Sequence, residues 1–241
     1  MKAIILAAGK GSRISNEIEA RPKSTLEING VPIIRKTTQM LLDNNVDVSV
    51  CVGYRYQDIQ DCLSGLNVTY YNNPQYDSTN NIYSLWLAQD ELRKNDDTLI
   101  ISADVVFSED MLKKIIDAPC DLAMVTDKSR VADGDYFFAL SDKGEILEYG
   151  PKIPLEQRSC EYVGISKISA EACNDFTNRL CELIDGGHNN VYFENTFFSF
   201  LNTKEHGIST IDVSEFEWRE IDFYADYQKA LKQFEEQGYG Q

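Results

Sequence analysis

The chain has 241 residues, a formal net charge of −16, and 43% hydrophobic and 26% charged residues, values typical of a globular protein with one sizeable core. The acidic balance argues against nucleic acid or an anionic membrane as a partner, and no apolar run approaches the ~20 residues that span a bilayer. The six cysteines and two histidines lack metal-ligand spacing, so we expect reduced core cysteines and no zinc site. One domain, residues 1–241, in the cytoplasm is predicted.

Short strands alternate with helices in the first half of the chain. Apolar and β-branched runs predict strands at Ala3–Leu6, Val46–Val52, Val68–Tyr71 and Thr98–Ser102. Apolar residues at helical spacing predict helices at Ile33–Leu42 and Asn81–Leu92. This alternation indicates right-handed βαβ units and a doubly wound, Rossmann-like α/β fold with a mixed, mostly parallel sheet.

The pattern becomes richer in strands after residue 120. Further strands are predicted at Ala123–Thr126, Tyr136–Leu140, Ile146–Glu148, Cys160–Ile165 and Trp218–Ile221. Helices are predicted at Ser169–Ile184, with Ser169 as N-cap, and at Val191–Leu201 and Tyr224–Gln237. We expect the first four of these strands to extend the sheet in antiparallel fashion and to form a lid beside the functional site, and the strand at Trp218–Ile221 to lead into the terminal helix.

The N-terminal strand runs directly into a loop of small and basic residues. Its sequence is Leu6-Ala7-Ala8-Gly9-Lys10-Gly11-Ser12-Arg13, and Pro22-Lys23 follows. Small residues allow backbone N–H groups to approach phosphates closely. The basic side chains bring positive charge to the same place in an otherwise acidic chain. The segment therefore predicts a binding site for a nucleoside triphosphate.

Polar residues also follow later strands, where open α/β sheets bind their ligands. These positions are Val52-Gly53-Tyr54, Asn80-Asn81-Ile82-Tyr83-Ser84-Leu85, Ala103-Asp104 and Trp218-Arg219-Glu220-Ile221-Asp222. Alternation along a strand places Glu220 and Asp222 on one face. Together with Asp104 they would form an oxygen-only site suited to Mg²⁺.

These motifs resemble the nucleotidyltransferase family that activates sugar phosphates and related phosphoesters. Within it, the chain is most similar to bacterial phosphocholine cytidylyltransferases and their relatives acting on aminoalkyl phosphonates. The resemblance implies Mg²⁺-dependent transfer of CMP from CTP to a phosphate or phosphonate oxygen, with release of pyrophosphate. It assigns catalysis to Lys23 and Arg13 and the metal to Asp104, Glu220 and Asp222. It assigns nucleotide binding to Leu6, Ala7, Ala8, Gly9, Lys10, Gly11, Ser12, Gly53, Tyr54, Asn80, Ser84 and Ala103.

The acceptor site is expected in residues 121–241, while residues 1–120 form the nucleotide-binding half. Glu161-Tyr162-Val163-Gly164-Ile165 resembles a family strand whose central glycine leaves room for substrate. Tyr192-Phe193-Glu194-Asn195 resembles the Tyr-Trp-Asp-Asn segment of the phosphocholine enzymes, with Phe for Trp and Glu for Asp. Trp is the strongest cation–π partner, so its absence leaves room for a primary amine held by Glu194 or for a different head group. Acceptor binding is assigned to Asn81, Tyr136, Gly164, Tyr192, Phe193 and Glu194, and Asp133 and Asp135 beside Tyr136 could also face a cationic substrate.

Two alternatives remain at this stage. One is a uridylyl-, thymidylyl- or guanylyltransferase acting on a sugar 1-phosphate, although the short chain favours a small acceptor. The other is a nucleotide-binding sensor without turnover, which would not need all three acids. The expected partners are CTP and the acceptor, without nucleic acid or membrane. A homodimer is common among such enzymes, and the sequence leaves the oligomeric state open.

Overall fold

A computed structural model describes residues 1–132, 134–201, 203 and 205–235. Its strands are β1 Lys2–Ala7, β2 Glu27–Ile28, β3 Val31–Pro32, β4 Asp47–Val52, β5 Val68–Asn72, β6 Thr98–Ser102, β7 Val105–Phe107, β8 Leu122–Asp127, β9 Phe137–Leu140, β10 Ile146–Gly150, β11 Cys160–Ile168, β12 Ile208–Asp212 and β13 Trp218–Glu220. Its α-helices are α1 Ile33–Asp43, α2 Tyr56–Cys62, α3 Asn81–Leu87, α4 Gln89–Leu92, α5 Glu109–Asp117, α6 Cys173–Asp185, α7 Glu194–Phe198 and α8 Tyr224–Glu235.

The N-terminal strands form the parallel part of the main sheet, in the order β5-β4-β1-β6. Ile5 of β1 lies between Val50 of β4 and Ile101 of β6. The face of the sheet that carries Ile5 packs against α1, α2 and α5, whereas the opposite face, which carries Ile4, packs against α3 and α6. Because helices cover both faces of the sheet, its strands are buried on both sides, and their sequences are continuous apolar runs. The predicted doubly wound arrangement is confirmed.

The second half extends this sheet through the long strand β11. It pairs antiparallel with β6, β8 and β9, while β12 adds to β8 in parallel and β10 adds to β9 at the edge. Every strand of the main sheet except β10 and β11 therefore runs in the same direction. The register between β11 and β8 shifts between Tyr162 and Ser166, where Gly164 has φ +84°. Because β11 runs antiparallel to β6, its start lies at the carboxyl end of the parallel strands.

A small ribbon and a third apolar cluster complete the fold near the N-terminal loop. Strands β7 and β13 pair antiparallel, with Glu220 opposite Val105. Ile14, Leu26 and Ile221 pack with Phe234 of the C-terminal helix α8. The segment between the small-residue loop and α1 is thereby fixed against the end of the chain.

Several predicted helix limits were wrong, for local reasons. Helix α6 begins at Cys173 because β11 continues to Ile168; the Ser169 hydroxyl instead accepts from Ala172 N–H at 3.2 Å, ahead of the helix. Residues 81–92 form two helices interrupted at residue 88, and only Glu194–Phe198 of the predicted helix at 191–201 is α-helical. Apolar spacing in these segments reflects buried turns as well as helix. Residues 236 and 237 of the predicted terminal helix lie outside the described part of the chain.

All six cysteines are free; Cys51, Cys160 and Cys173 are buried as expected, whereas Cys62, Cys120 and Cys181 are only partly buried. Within the described ranges, no helix combines the length and the apolar character needed to cross a membrane.

Candidate active site

The small-residue loop after β1 is shaped by two glycines, each close to another part of the site. Gly11 has φ +58°, and a Cβ there would lie 2.6 Å from Cγ of Lys23. Gly53, at the end of β4, approaches Ala8 so closely that a Cβ would lie 2.9 Å from the Ala8 carbonyl oxygen. That oxygen accepts a hydrogen bond from Tyr54 N–H at 3.0 Å. Larger side chains at either glycine would push the loop away from its neighbours.

Lys23 lies at the centre of a charged cluster. It begins a short 3₁₀ turn after Pro22, and its side chain is only 12% exposed. Its Nζ donates to Asp104 Oδ2 at 3.0 Å and to Asp222 Oδ1 at 2.6 Å. Burial alone would lower the pKa of Lys23, but the two carboxylates outweigh it and raise that pKa. The ammonium group therefore stays charged at this position.

Three carboxylates meet beside Lys23. Asp104 follows β6, and Ile221 N–H donates to the Asp104 carbonyl oxygen at 3.0 Å, which brings the end of β13 alongside it. One oxygen atom from each of Asp104, Glu220 and Asp222 lies within 4.8 Å of the others. Burial and the neighbouring negative charges of Asp104 and Asp222 raise the pKa of Glu220. Hard carboxylate oxygens converging in this way can hold a divalent cation.

Arg13 closes the other side of this cluster. Its NH1 donates to Asp222 Oδ2 at 2.5 Å and lies 3.6 Å from Asp135 Oδ2, while about half of the side chain is exposed. A hydrogen bond with Asp222, together with burial, raises the pKa of Asp135 to about 6. Burial alone would raise the pKa of Asp222, but the hydrogen bonds from Asp135 and Lys23 lower it. Arg13 is thus held at the mouth of the site with its guanidinium partly free to meet an anion.

Two adjoining cavities, of about 390 Å³ and 700 Å³, open around these residues. The smaller lies along the N-terminal loop, and the larger extends from the carboxylates toward β11 and α7. Tyr192, Arg13, Asp104 and Asp222 line both. Predicted site residues that line at least one cavity are Leu6, Ala7, Ala8, Gly9, Gly11, Ser12, Arg13, Lys23, Asn80, Asn81, Ser84, Ala103, Asp104, Tyr136, Gly164, Tyr192, Glu194, Glu220 and Asp222.

The far end of the larger cavity contains a buried acid. Glu194 is 8% exposed, and its Oε2 has no hydrogen-bond partner among the described residues. Burial raises the pKa of the Glu194 carboxyl to about 7. Tyr136 and Tyr162 lie close to Glu194. Burial raises the pKa of each tyrosine most, and the negative charge of Glu194 raises it further. An unpaired buried carboxylate among tyrosine rings is a strong acceptor for a cationic donor.

The segment before α7 is fixed to the start of α3. Asn81 Oδ1 accepts from Phe193 N–H at 2.8 Å, and Asn80 N–H donates to the Asn189 carbonyl oxygen at 3.0 Å. Helix α3 also presents Ser84 to the larger cavity. The same helix start therefore positions residues assigned to the nucleotide and residues assigned to the acceptor.

Four predicted site residues lie outside the cavity linings. Phe193 is fully buried and packs near Phe197 in the apolar core, because its backbone, and not its ring, faces Asn81. Tyr54 turns away to donate from its hydroxyl to the Ala20 carbonyl oxygen at 2.8 Å. Lys10 Nζ lies 5.4 Å from the centre of the Tyr76 ring, and Gly53 supports the loop through Ala8. Asp133 is outside the described residues.

Sequence reasoning missed several cavity residues, namely Asn73, Tyr76, Thr79, Ser102, Pro151 and Tyr162 as a lining residue. Asn73 is 1% exposed, and its amide donates to Ser84 Oγ at 3.0 Å and Thr79 Oγ1 at 3.2 Å. Its signal was available, since Asn73 lies two residues after the predicted strand Val68–Tyr71, just as Asp104 lies two residues after the predicted strand Thr98–Ser102. Tyr76, Thr79 and Pro151 lie in turns or bends without a motif of their own, whereas Ser102 ends β6 and Tyr162 lies within β11.

Comparisons with known proteins identify relatives of this chain and proteins of the same fold. A family model described as "MobA-like NTP transferase domain" matches residues 3–188. The CTP:phosphoglutamine cytidylyltransferase of Campylobacter jejuni is 29% identical over 96% of this chain and 100% of that protein. The 2-aminoethylphosphonate cytidylyltransferase of Lancefieldella rimae is 27% identical over 88% and 87%, respectively. The solved structure of the CTP:phosphocholine cytidylyltransferase from Streptococcus pneumoniae has a TM-score of 0.76, with 22% identity over 97% and 98% of the two chains.

Proposed function

Since the chain belongs to the family of MobA-like NTP transferase domains, we propose that it transfers CMP from CTP to a small phosphate or phosphonate carrying an ammonium group. An oxygen of the acceptor attacks the α-phosphorus, the bond to the bridging β-phosphate oxygen breaks, and pyrophosphate leaves with the electron pair. One observation carries this proposal. A single cavity is lined at one end by Arg13 and the three carboxylates beside Lys23, and at the other by Glu194.

Transfer of this kind depends on positioning and charge neutralisation more than on a covalent nucleophile. The Gly9–Ser12 backbone and Arg13 would bind the phosphates that leave. Lys23, which remains protonated between Asp104 and Asp222, would neutralise charge that develops on the α-phosphate. CTP is the proposed nucleotide because both full-length relatives described above are cytidylyltransferases.

The carboxylate cluster fits a divalent cation, and we propose Mg²⁺. The donor set is all oxygen, and the three side chains come within 4.8 Å of one another. When bound, the ion would supply Lewis-acid charge stabilisation to the reacting phosphoryl oxygens. Asp104, Glu220 and Asp222 would hold it.

The acceptor's ammonium group would be bound by Glu194. Its unpartnered Oε2 can accept a hydrogen bond, so an ammonium group with N–H bonds gains more here than a quaternary one. Tyr136 and Tyr162 supply aromatic surface around it. Tyr162 lies near both Glu194 and Glu220, and their negative charges add to the effect of burial in raising the pKa of Tyr162. Because Glu194, Tyr162 and Glu220 line the same cavity, we propose a short acceptor.

The test is pyrophosphate release with Mg²⁺, in which CTP, UTP, GTP, ATP and dTTP are crossed with four acceptors. These are 2-aminoethylphosphonate, phosphocholine, phosphoglutamine and glucose 1-phosphate, with ethylphosphonate as the matched compound without an amine. We expect release with CTP and an acceptor bearing N–H, and none with ethylphosphonate. Release only with UTP or dTTP and glucose 1-phosphate would assign the chain to sugar activation. Nucleotide binding without any release would indicate a sensor.

We also place the reaction in the cytoplasm, where CTP is available. Sedimentation of the purified chain tests the homodimer suggested by enzymes of this kind.

A further inference from the structure

The β7–β13 ribbon sets the distance between the metal-site carboxylates, yet each of its strands has only three residues. Glu220 lies opposite Val105, directly after Asp104, and Asp222 follows two residues beyond Glu220. A displacement of β13 would therefore move two of the three carboxylates relative to the third. Two-stranded ribbons of this length are not stable alone, so other contacts must hold β13.

Trp218, at the start of β13, is held from the end of β8. It is 1% exposed, and its indole N–H donates to Asp127 Oδ2 at 2.8 Å. The guanidinium of Arg130 lies 4.2 Å from the centre of the Trp218 ring and donates from NH2 to the Trp218 carbonyl oxygen at 2.7 Å. Arg130 Nε also lies 3.4 Å from Asp127 Oδ2. The three side chains thus provide hydrogen-bond, ion-pair and stacking partners for one another in a mostly buried position, where such contacts are strong.

The same residues connect the metal site with the acceptor side. Asp127 and Arg130 begin the segment that leads to Asp135 and Tyr136, which line the larger cavity. Asp135 contacts Arg13, and Arg13 contacts Asp222. Arg130 and Asp127 therefore both connect this segment with the strand that bears Glu220.

We propose that Arg130, Asp127 and Trp218 act as a positioning unit for the metal-site carboxylates. This inference rests on the metal site of the proposed function. None of the three residues lines the cavities, so they act through Glu220 and Asp222 and not on substrate. Groups that orient metal ligands from outside the coordination sphere change metal affinity when they are removed.

The chain provides a matched control in Arg158. Its guanidinium lies 3.8 Å from the centre of the Phe137 ring and donates to the carbonyl oxygens of Ile153 at 2.8 Å and Val131 at 3.1 Å. It is half-buried like Arg130, stacks on an aromatic ring and holds the same segment. The contacts of Arg158 with Phe137, Ile153 and Val131 do not involve β13.

The experiment measures Mn²⁺ binding to the full nucleotide-free chain by electron paramagnetic resonance. Arg130→Met should raise the dissociation constant by about 10-fold, as expected for loss of an orienting group. Trp218→Phe keeps a ring under the guanidinium but loses the indole N–H that donates to the Asp127 carboxylate, and should raise the dissociation constant by about 10-fold, the lower end for one hydrogen bond to a charged group. Arg158→Met should leave it unchanged. Melting curves show that each variant is folded.

Equal losses in Arg130→Met and Arg158→Met would overturn the proposal, because the effect would then be general loosening. Unchanged affinity in a folded Arg130→Met protein would do so directly. If that variant does not fold, Arg130→Lys keeps the charge beside Asp127 without the flat stacking surface, and unchanged affinity in it and in Trp218→Phe has the same meaning. The wild-type chain could also release no pyrophosphate with any substrate pair. If Arg130→Met still binds Mn²⁺ more weakly than wild type in that case, the positioning role is retained and the proposed function is removed.

Discussion

The two ends of the larger cavity satisfy charge in different ways. At the phosphate end, Lys23 bridges Asp104 and Asp222, and Arg13 pairs with Asp222, so opposite charges already meet. At the acceptor end, Glu194 is buried with an oxygen that has no partner among the described residues. Paired charges keep their geometry without substrate, whereas an unpaired buried acid is costly until a ligand meets it. The comparison indicates that the phosphate end is organised for chemistry and the acceptor end for selection.

The largest effect is expected at Lys23. Lys23→Ala removes the cation between the carboxylates, and the turnover number should fall by about 10²–10³-fold, the range for loss of one transition-state contact. Initial rates of pyrophosphate release measure this. Lys128→Ala is the control, because Lys128 is exposed and pairs with Asp212 away from the cavities. A near-normal rate for Lys23→Ala would show that the phosphate end is not the reacting end.

Asp104→Asn tests the carboxylate cluster. We expect a loss of activity of about 10-fold or more, with a higher Mg²⁺ concentration for half-maximal rate, because a charged ligand is replaced by a neutral one. The measurement is a Mg²⁺ titration at saturating substrates. Asp110→Asn, at an exposed position of α5, serves as the control. An unchanged Mg²⁺ titration would remove Asp104 from the metal site.

Glu194→Gln tests whether the acceptor end selects substrate. The KM for the acceptor should rise by about 10-fold or more, since a hydrogen bond to a charged group contributes about 1.5–3 kcal/mol. The KM for CTP should stay the same. Glu161→Gln is a matched control, because Glu161 is also buried, with its pKa raised to about 7 by burial, but does not line the cavities. A rise confined to the KM for CTP would place Glu194 with the nucleotide.

The smallest effect concerns stability against pH. Burial raises the pKa of Glu194 from its ordinary value of 4.5 to about 7, so folding favours the protonated acid. Below pH 4.5 both states are protonated; as pH rises through 7, the folded protein loses stability by on the order of 3 kcal/mol. Glu194→Gln should therefore be more stable than wild type at pH 8 and converge with it near pH 5 in urea unfolding. A difference independent of pH would contradict an unpaired acid.

Much of the fold was readable from local pattern. The strand Thr98–Ser102 was predicted with its observed limits, because a short apolar run is bounded there by polar residues. The N-terminal loop was equally readable, since small residues, Arg13 and Lys23 lie close together along the chain. By contrast, apolar spacing in residues 191–201 could not distinguish one long helix from buried turns around α7.

Other parts of the site depend on tertiary contacts that no local pattern reveals. Phe193 looked like an acceptor residue because its neighbours are, but its ring enters the core. Arg130 and Trp218 are 88 positions apart, and nothing in either segment indicates that they stack. Asn73, in contrast, was predictable, because it is a polar residue just after a predicted strand, which is the rule that identified Asp104.

Two hydrogen bonds attach the segment before α7 to the start of α3, from Asn80 to Asn189 and from Phe193 to Asn81. Both use backbone groups of the later segment, so they place few demands on its side chains. Apart from the buried Phe193, the side chains of residues 188–195 could therefore be exchanged for those of relatives. New acceptor preferences could be engineered in this way, provided that Asn81, Phe193 and the spacing between the two attachment points are retained.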